Sequence, residues 1–416
     1  MKRSFLALGA ILSTGMALSA CGSDGPEPIV FGQLIGVTGD YAPFTPPAIT
    51  ASEIAIAEIN GAGGVLGREV KLVTEDNRST IDGTVSGFTK LTTASGISVL
   101  GSLESDGQVA LFDGIAKRRI PNICPSCGTT FLDDRGGDYS FRITASDSDA
   151  GLIVAQVTRD AGARKLAMIV QNTEGATGPA EVAAEAFEKT GGHVDFVTIE
   201  PGASSYNSEV AQALSGKPDA LYVAAGVEAG LPVLREIDRR GYDVPILLSP
   251  DLITNDISAL PNTEHFEAAL TAFDTAGPAY VSFAQRFHAA TGHEPEPGMY
   301  DANNYDQYIL FALAMEAAQS VEGEDVAGKI IEVASGPGTK VHSFAEGKAA
   351  LARGEDIDFD GASSALDLNE FGNLQSPLLS IMTVRDGAWG GGGGVGVGEV
   401  GKVAEWNESW RSVSAR

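Results

Sequence analysis

The chain has 416 residues, 43% of them hydrophobic, which exceeds what one domain ordinarily needs and suffices for packed cores. Its 55 Asp and Glu against 28 Lys and Arg leave a net charge of -27. A surface this acidic repels nucleic acid and anionic lipid, so a nucleic-acid partner is excluded; the charge alone does not say whether a small ligand is anionic or cationic.

The chain opens with an address. Lys2 and Arg3 form a charged start, Phe5–Leu12 a short apolar run, and Leu18-Ser19-Ala20-Cys21 a small-residue cleavage site with cysteine at the first mature position. The apolar run is too short for a spanning helix. Leu-Ser-Ala-Cys resembles the bacterial lipobox, which implies that residues 1–20 are a lipoprotein signal peptide and that Cys21 takes the lipid; an ordinary cleaved signal is the alternative. Residues 21–28 are polar and rich in Pro and Gly, as a tether should be. No later segment is long and apolar enough to span a bilayer, so an exported chain anchored only at its start is expected.

Ile29–Ile35 reads as the first strand. Ala48–Asn77 reads as a helix, a glycine-rich turn and a strand, the helix having Ala51, Ile54, Ala55 and Ile59 at helical spacing. Asn60-Gly61 stops it, Gly63, Gly64 and Gly67 reverse the chain, and a buried strand follows at Val70–Val73. Ile97–Leu100 is a strand that runs into the loop Gly101–Gly107. Cys124-Pro125-Ser126-Cys127 reads as a local disulfide in an oxidising compartment, or as two free thiols near a pocket. A redox pair fits less well, since the motif precedes a turn instead of opening a helix, and zinc lacks a second ligand pair. Strands at Lys165–Gln171, Val194–Ile199, Ala220–Ala225 and Pro245–Leu248 alternate with helices at Pro179–Thr190, around Val210–Leu214 and at Leu231–Arg240. A long helix covers Asn303–Ser320. This alternation argues for an α/β fold with parallel sheets. Gly390–Gly394 reads as a flexible surface loop.

Glu58-Ile59-Asn60, Ala62-Gly63-Gly64, Gly67-Arg68 and Glu75-Asp76 together resemble a block near the start of the type I periplasmic binding proteins. Within them the match is to the branched-chain amino-acid (leucine/isoleucine/valine) binders of ABC importers. Phe359–Gly372 is similar to a second stretch of that family, with Ser364 where glycine is usual. The resemblance implies two Rossmann-like lobes with parallel sheets, joined by three hinge crossings in a Venus-flytrap. The crossings would fall near Ser146, Thr275 and Asp360. Residues 29–146 and 275–359 would form the N-terminal lobe, and 147–274 and 360–416 the C-terminal lobe.

In open α/β sheets ligands sit outside the carboxyl ends of the strands, so the loops after strands are the place to look. By the resemblance, Ser105 would hydrogen-bond a ligand carboxylate at a helix start, where N–H groups and the dipole favour an anion; a plain N-cap is the alternative. Ser126 would offer backbone groups. The family's threonine position falls on Gly128, with Thr129 the nearest hydroxyl. Asp147 would lie close to the ligand's amino group and Asp251 would pair with its ammonium, because a carboxylate in a closing cleft is costly to desolvate without a cation. Phe44 falls on an aromatic lid position, with Tyr41 near it. Two further aromatics expected from the family are missing, one near Glu174–Gly178 and one after Ala225, where Gly226 stands. The ligand's side chain is therefore not implied.

An enzyme is the rival class. Gly61–Gly67 follows a helix and precedes a strand, the wrong context for a dinucleotide loop. No G-x-S-x-G elbow or H-E-x-x-H occurs, and the five histidines are scattered. The resemblance implies instead a non-enzymatic substrate-binding lipoprotein of an ABC importer, a monomer without cofactor or metal. It would capture a small amino acid or related zwitterion and deliver it to membrane permease and ATPase subunits. A sensory receptor subunit of the same fold, or a binder of short amides or carboxylates, is the alternative.

Overall fold

A computed structural model describes residues 26–253, 263–296, 298–375, 377–385 and 388–394. The expected signal peptide and Cys21 lie outside the described residues.

The first lobe begins with β1 (Ile29–Ile35), α1 (Thr45–Gly61), β2 (Val70–Asp76), α2 (Ile81–Lys90), β3 (Val99–Gly101), α3 (Ser105–Arg118), β4 (Asn122–Cys124) and β5 (Ser140–Arg142). Its strands form a parallel sheet in the order β2-β1-β3-β4-β5. The second lobe follows with α4 (Asp147–Asp160), β6 (Lys165–Gln171), α5 (Glu174–Lys189), β7 (His193–Ile199), α6 (Asn207–Ser215), β8 (Ala220–Ala224), α7 (Val227–Arg239), β9 (Ile246–Leu248) and β10 (Phe266–Thr271). The chain then returns to the first lobe through α8 (Pro278–Thr291), α9 (Asp301–Ala318), α10 (Gly323–Ala334), β11 (Thr339–Val341), α11 (Phe344–Ala352) and β12 (Ile357–Phe359). It ends with β13 (Leu379–Arg385) and β14 (Ala388–Gly394), which complete a second sheet ordered β14-β13-β10-β9-β8-β6-β7. Strands β6 to β10 of that sheet are parallel, and β13 and β14 run antiparallel at its edge.

Sheets covered on both faces by helices need strands that are apolar on both sides. In β6, Ala167 and Ile169 enter one core while Leu166, Met168 and Val170 enter the other. Helix α9 is buried almost all round, and its polar residues are held by partners. Gln307 Oε1 accepts from Ser102 N at 2.9 Å, and Asp306 accepts from Ala362 N and Ser363 N at 2.7 Å each. The first bond fixes the loop after β3, and the other two fix the turn that follows β12.

The block after α1 folds as its residues imply. Asn60 clamps Val70 through both amide atoms (2.9 and 2.8 Å), and Gly63, Gly64 and Gly67 all take positive φ. Glu58 accepts from Tyr305 OH at 2.6 Å and Phe344 N at 2.9 Å and is ion-paired with Arg286, so one carboxylate joins α1, α8, α9 and α11.

Several expectations shift. β2 is an edge strand and only half buried, because it has a neighbour on one side. Helices α5 and α7 start ahead of the expected Pro179 and Leu231, with Pro179 and Pro232 inside them. Gly390–Gly394 is not a loop: it belongs to β14, whose backbone pairs with β13 and needs no side chains to do so. After Phe359 the chain stays with the first lobe, since Leu366 and Leu368 pack in its core and Leu374 N donates to Arg142 O at 3.2 Å. The third passage therefore comes at the approach to β13, later than Asp360. The passages run side by side: the Thr144 and Thr271 hydroxyls meet at 3.1 Å, and Ala272 N donates to Leu378 O at 2.8 Å.

Candidate functional site

Each parallel sheet has a point where successive connections leave in opposite directions, between β1 and β3 in one and between β6 and β8 in the other. Loops diverge there and leave a crevice. The two crevices face each other and enclose a cleft of about 1120 Å³, mouth included. Tyr41, Phe44, Glu104, Ser105 and Ser126 line it from the first lobe, and Asp147, Gly175, Tyr222 and Asp251 from the second. Tyr300 and Asn304, at the start of α9, close one side. An adjoining chamber is lined by Asp40, Asp106, Gln171 and Gly226, and shares Tyr41, Glu104 and Asp251 with the cleft.

Phe44, Ser105, Ser126, Gly128, Asp147 and Asp251 all line the cleft. Thr129 does not. It is buried behind the lining, where its hydroxyl donates to Glu174 Oε1 at 2.5 Å and accepts from Phe131 N at 3.2 Å. That makes it a tie between the lobes. Gly128 has a definite reason to be glycine: the Asp147 carboxylate lies against it, and a β-carbon there would overlap Asp147 Oδ1. Asp147 N donates to Gly128 O at 2.7 Å. Arg142, fully buried, donates to the carbonyls of Gly128 and Thr129 at 2.9 Å each and to Asp133 Oδ1 at 2.7 Å, and so sets the loop that carries them. Cys124 and Cys127 form a disulfide that packs with Leu132 and does not line the cleft.

Burial dominates the electrostatics. It pushes the Glu104 carboxyl up to about 7 against a hydrogen bond from Asn77 Nδ2 at 2.8 Å. It pushes Asp251 to about 7, helped by Asp40 and Asp106, and raises Asp106 in the same direction. Asp147 is carried well above the carboxylate range by burial; Arg142 pulls it down while Asp133, Asp251 and Glu174 push it up. Its Oδ2 is buried with no hydrogen bond. The Tyr222 and Tyr300 hydroxyls are raised by burial and then by both aspartates, so the two acids share one environment.

The lobes stand closed upon each other. Gln171 Nε2 donates to Asp40 Oδ2 at 3.4 Å while Gly226 N donates to Gln171 Oε1 at 2.9 Å, and Glu174 N donates to Asp106 Oδ1 at 3.0 Å. At Gly226 there is no room for the expected aromatic: a β-carbon would lie 2.6 Å from Asp40 Oδ2. A β-carbon on Gly175 would meet the Tyr41 hydroxyl at 3.7 Å, an ordinary contact. Glu104 and Asp106 could have been found from the sequence, since they flank Ser105. Tyr222, inside an apolar strand, and Tyr300, ahead of a helix, carried no such signal. Among the described residues no group of three His, Cys, Asp or Glu is arranged to hold a metal ion. The arrangement suits the binding of a small solute by charge and hydrogen bonds.

Residues 28–363 match the family model described as periplasmic binding protein. Leu/Ile/Val-binding protein homolog 1 of Brucella suis is 24% identical over 329 residues, covering 76% of this chain and 86% of that protein. A protein of Pseudomonas aeruginosa named amino acid binding protein is 22% identical over 303 residues, covering 71% and 79%. Among solved structures, the leucine-binding protein LivK of Thermotoga maritima superposes with a TM-score of 0.75 at 19% identity, covering 88% of this chain and 98% of that one. A solute-binding protein of an R. palustris ABC transporter, in complex with benzoate, gives 0.69 at 19% identity, covering 88% and 96%. At these identities the structural likenesses establish the fold.

Proposed function

Since the chain belongs to the periplasmic binding protein family, we propose that it is the extracytoplasmic solute-binding component of an ABC importer and captures a small amine-bearing solute, an amino acid or related zwitterion, between its lobes. The observation that carries this reading is Asp147. Its carboxyl is walled in by Gly128, Arg142 is turned away to Asp133, and one oxygen has no hydrogen-bond partner. Burial without a partner disfavours the ionised form of this acid, and an ammonium arriving in the cleft would stabilise that form. Asp251, in the same environment, would share that ammonium, while Ser105, Ser126 and the Asn304 amide would meet the solute's polar remainder. Phe44 would cover its apolar part.

The solute touches both lobes only when they are shut, so binding favours the closed form. The closed protein, a monomer held at the membrane by a lipid on Cys21, would then present both rims to a permease and its ATPase. Relatives named for leucine, isoleucine and valine binding support the amino-acid reading. A thermal-shift and calorimetric panel of amino acids, amides and carboxylates tests it. One-to-one binding of an amine-bearing compound with compaction in small-angle scattering is expected. Binding of non-amine compounds alone removes the roles given to Asp147 and Asp251.

A further inference from the structure

The charge of the cleft narrows the solute class, a step that rests on the reading that an amine enters between the lobes. Asp40, Glu104 and Asp106 come from the first lobe, and Asp147 and Asp251 from the second. None of the described residues lining either chamber is Lys, Arg or His. Arg142, which acts on Asp147 at a distance, is bonded to Asp133 and to two carbonyls. The donors that meet these acids are neutral: Gln171 to Asp40, Asn77 to Glu104, and the Glu174 amide to Asp106.

Acids stand at both helix starts where a ligand carboxylate would go. At α3, Glu104 makes no side-chain bond to the leading amides, but its Oε1 lies 2.7 Å from where a β-carbon of Gly107 would be. The first amide of α5 donates to Asp106. A neutral zwitterion would bring one positive charge to a lining of five acids and find no cationic side chain there for its own carboxylate. The acids do not converge as a metal site does, but extend from Asp147 past Asp251 to Asp40 through connected chambers. Tyr41, Phe44, Tyr222 and Tyr300 add aromatic faces, which also attract organic cations.

We propose that the solute is a short organic cation with two or more ammonium or guanidinium centres, one held at Asp147 and another in the chamber bounded by Asp40, Asp106 and Asp251. Diamines, polyamines and basic amino acids share this chemistry.

The test is calorimetric titration of the purified protein near neutral pH and at low salt with putrescine, spermidine, L-lysine, L-arginine, L-leucine and the monoamine n-butylamine. At least one of the four multiply charged amines is expected to bind roughly tenfold or more tighter than L-leucine, weakening as sodium chloride rises. Putrescine ahead of L-lysine would mean a solute without a carboxylate, and the reverse a basic amino acid; either supports the proposal. Asp40→Asn, checked for an unchanged circular dichroism spectrum, is expected to weaken putrescine or L-lysine by roughly tenfold and n-butylamine by much less. L-leucine binding as tightly as every multiply charged amine overturns the proposal and leaves the amine reading intact, as does an equal loss for diamine and monoamine in Asp40→Asn. Silence toward every amine overturns both.

Discussion

Thr129 of the first lobe donates a hydrogen bond to Glu174 of the second, Oγ1 to Oε1 at 2.5 Å, behind the lining of the cleft. The bond joins the turn after Gly128 to the first residue of α5, and can exist only while the lobes are together. Thr129→Val keeps the shape and removes the donor. Ligand affinity should fall by about 2- to 10-fold, the equivalent of one ordinary hydrogen bond, although the residue touches no ligand. Calorimetry gives the affinity, and small-angle scattering should show a larger open fraction of the unliganded protein.

The raised acids make stability fall as pH rises. Glu104 and Asp251 hold their protons up to about pH 7 in the folded chain, whereas in the unfolded chain they release them in the ordinary carboxylate range. Between those limits the folded state binds more protons, so the slope of stability against pH is negative there. Asp301 and Asp306, raised to about 7 by burial, act in the same sense. Asp76 and Asp219, lowered by hydrogen bonds, act oppositely but only at more acid pH. The melting temperature of the unliganded protein should therefore drop between about pH 5 and about pH 8. Asp251→Asn should make the drop shallower, by roughly 2–4 °C at the alkaline end. A scanning fluorimetry series checks both.

Gly128 is set by contact with Asp147, so placing there the threonine that the family resemblance implies should harm this protein. In Gly128→Thr the new side chain displaces the Asp147 carboxylate. Affinity for the best amine should fall by more than about tenfold with the fold retained, measured by calorimetry beside circular dichroism.

Glu58 predicts the opposite pattern. Its partners Arg286, Tyr305 and Phe344 belong to the first-lobe helices, away from the cleft. Glu58→Ala leaves a cation and two donors without their acceptor and should lower stability by about 2–3 kcal/mol, less than a fully buried pair because Arg286 keeps some water. Urea denaturation should show the loss while ligand affinity stays as it was.

The contrast between Asn60 and Glu58 shows what the sequence could reveal. Asn60 and the glycines after it act within a short span, through a helix end, a reversal and a strand start, so their roles were open to reading, whereas Glu58 works through Arg286, Tyr305 and Phe344, far along the chain. The lobes' sheets were likewise readable from the alternation of apolar runs. The approach to β13 was not, because Leu366 and Leu368 could have packed on either lobe. Nor was the tie at Thr129, whose partner is 45 positions away along the chain. The acid lining was hidden for a similar reason: Asp40, Asp106 and Asp251 lie far apart in the chain, the first two meeting through the fold of the first lobe and Asp251 joining them across the closed cleft.

The first turn of α5 is finished by a residue of the opposite lobe. Asp106 takes the Glu174 amide, and the Gly175 amide also donates to it. When the lobes part, that helix end loses its acceptor and its leading amides meet solvent. Their rate of hydrogen exchange then tells how often the trap springs, which gives the protein an internal clock of its own opening that needs no attached label.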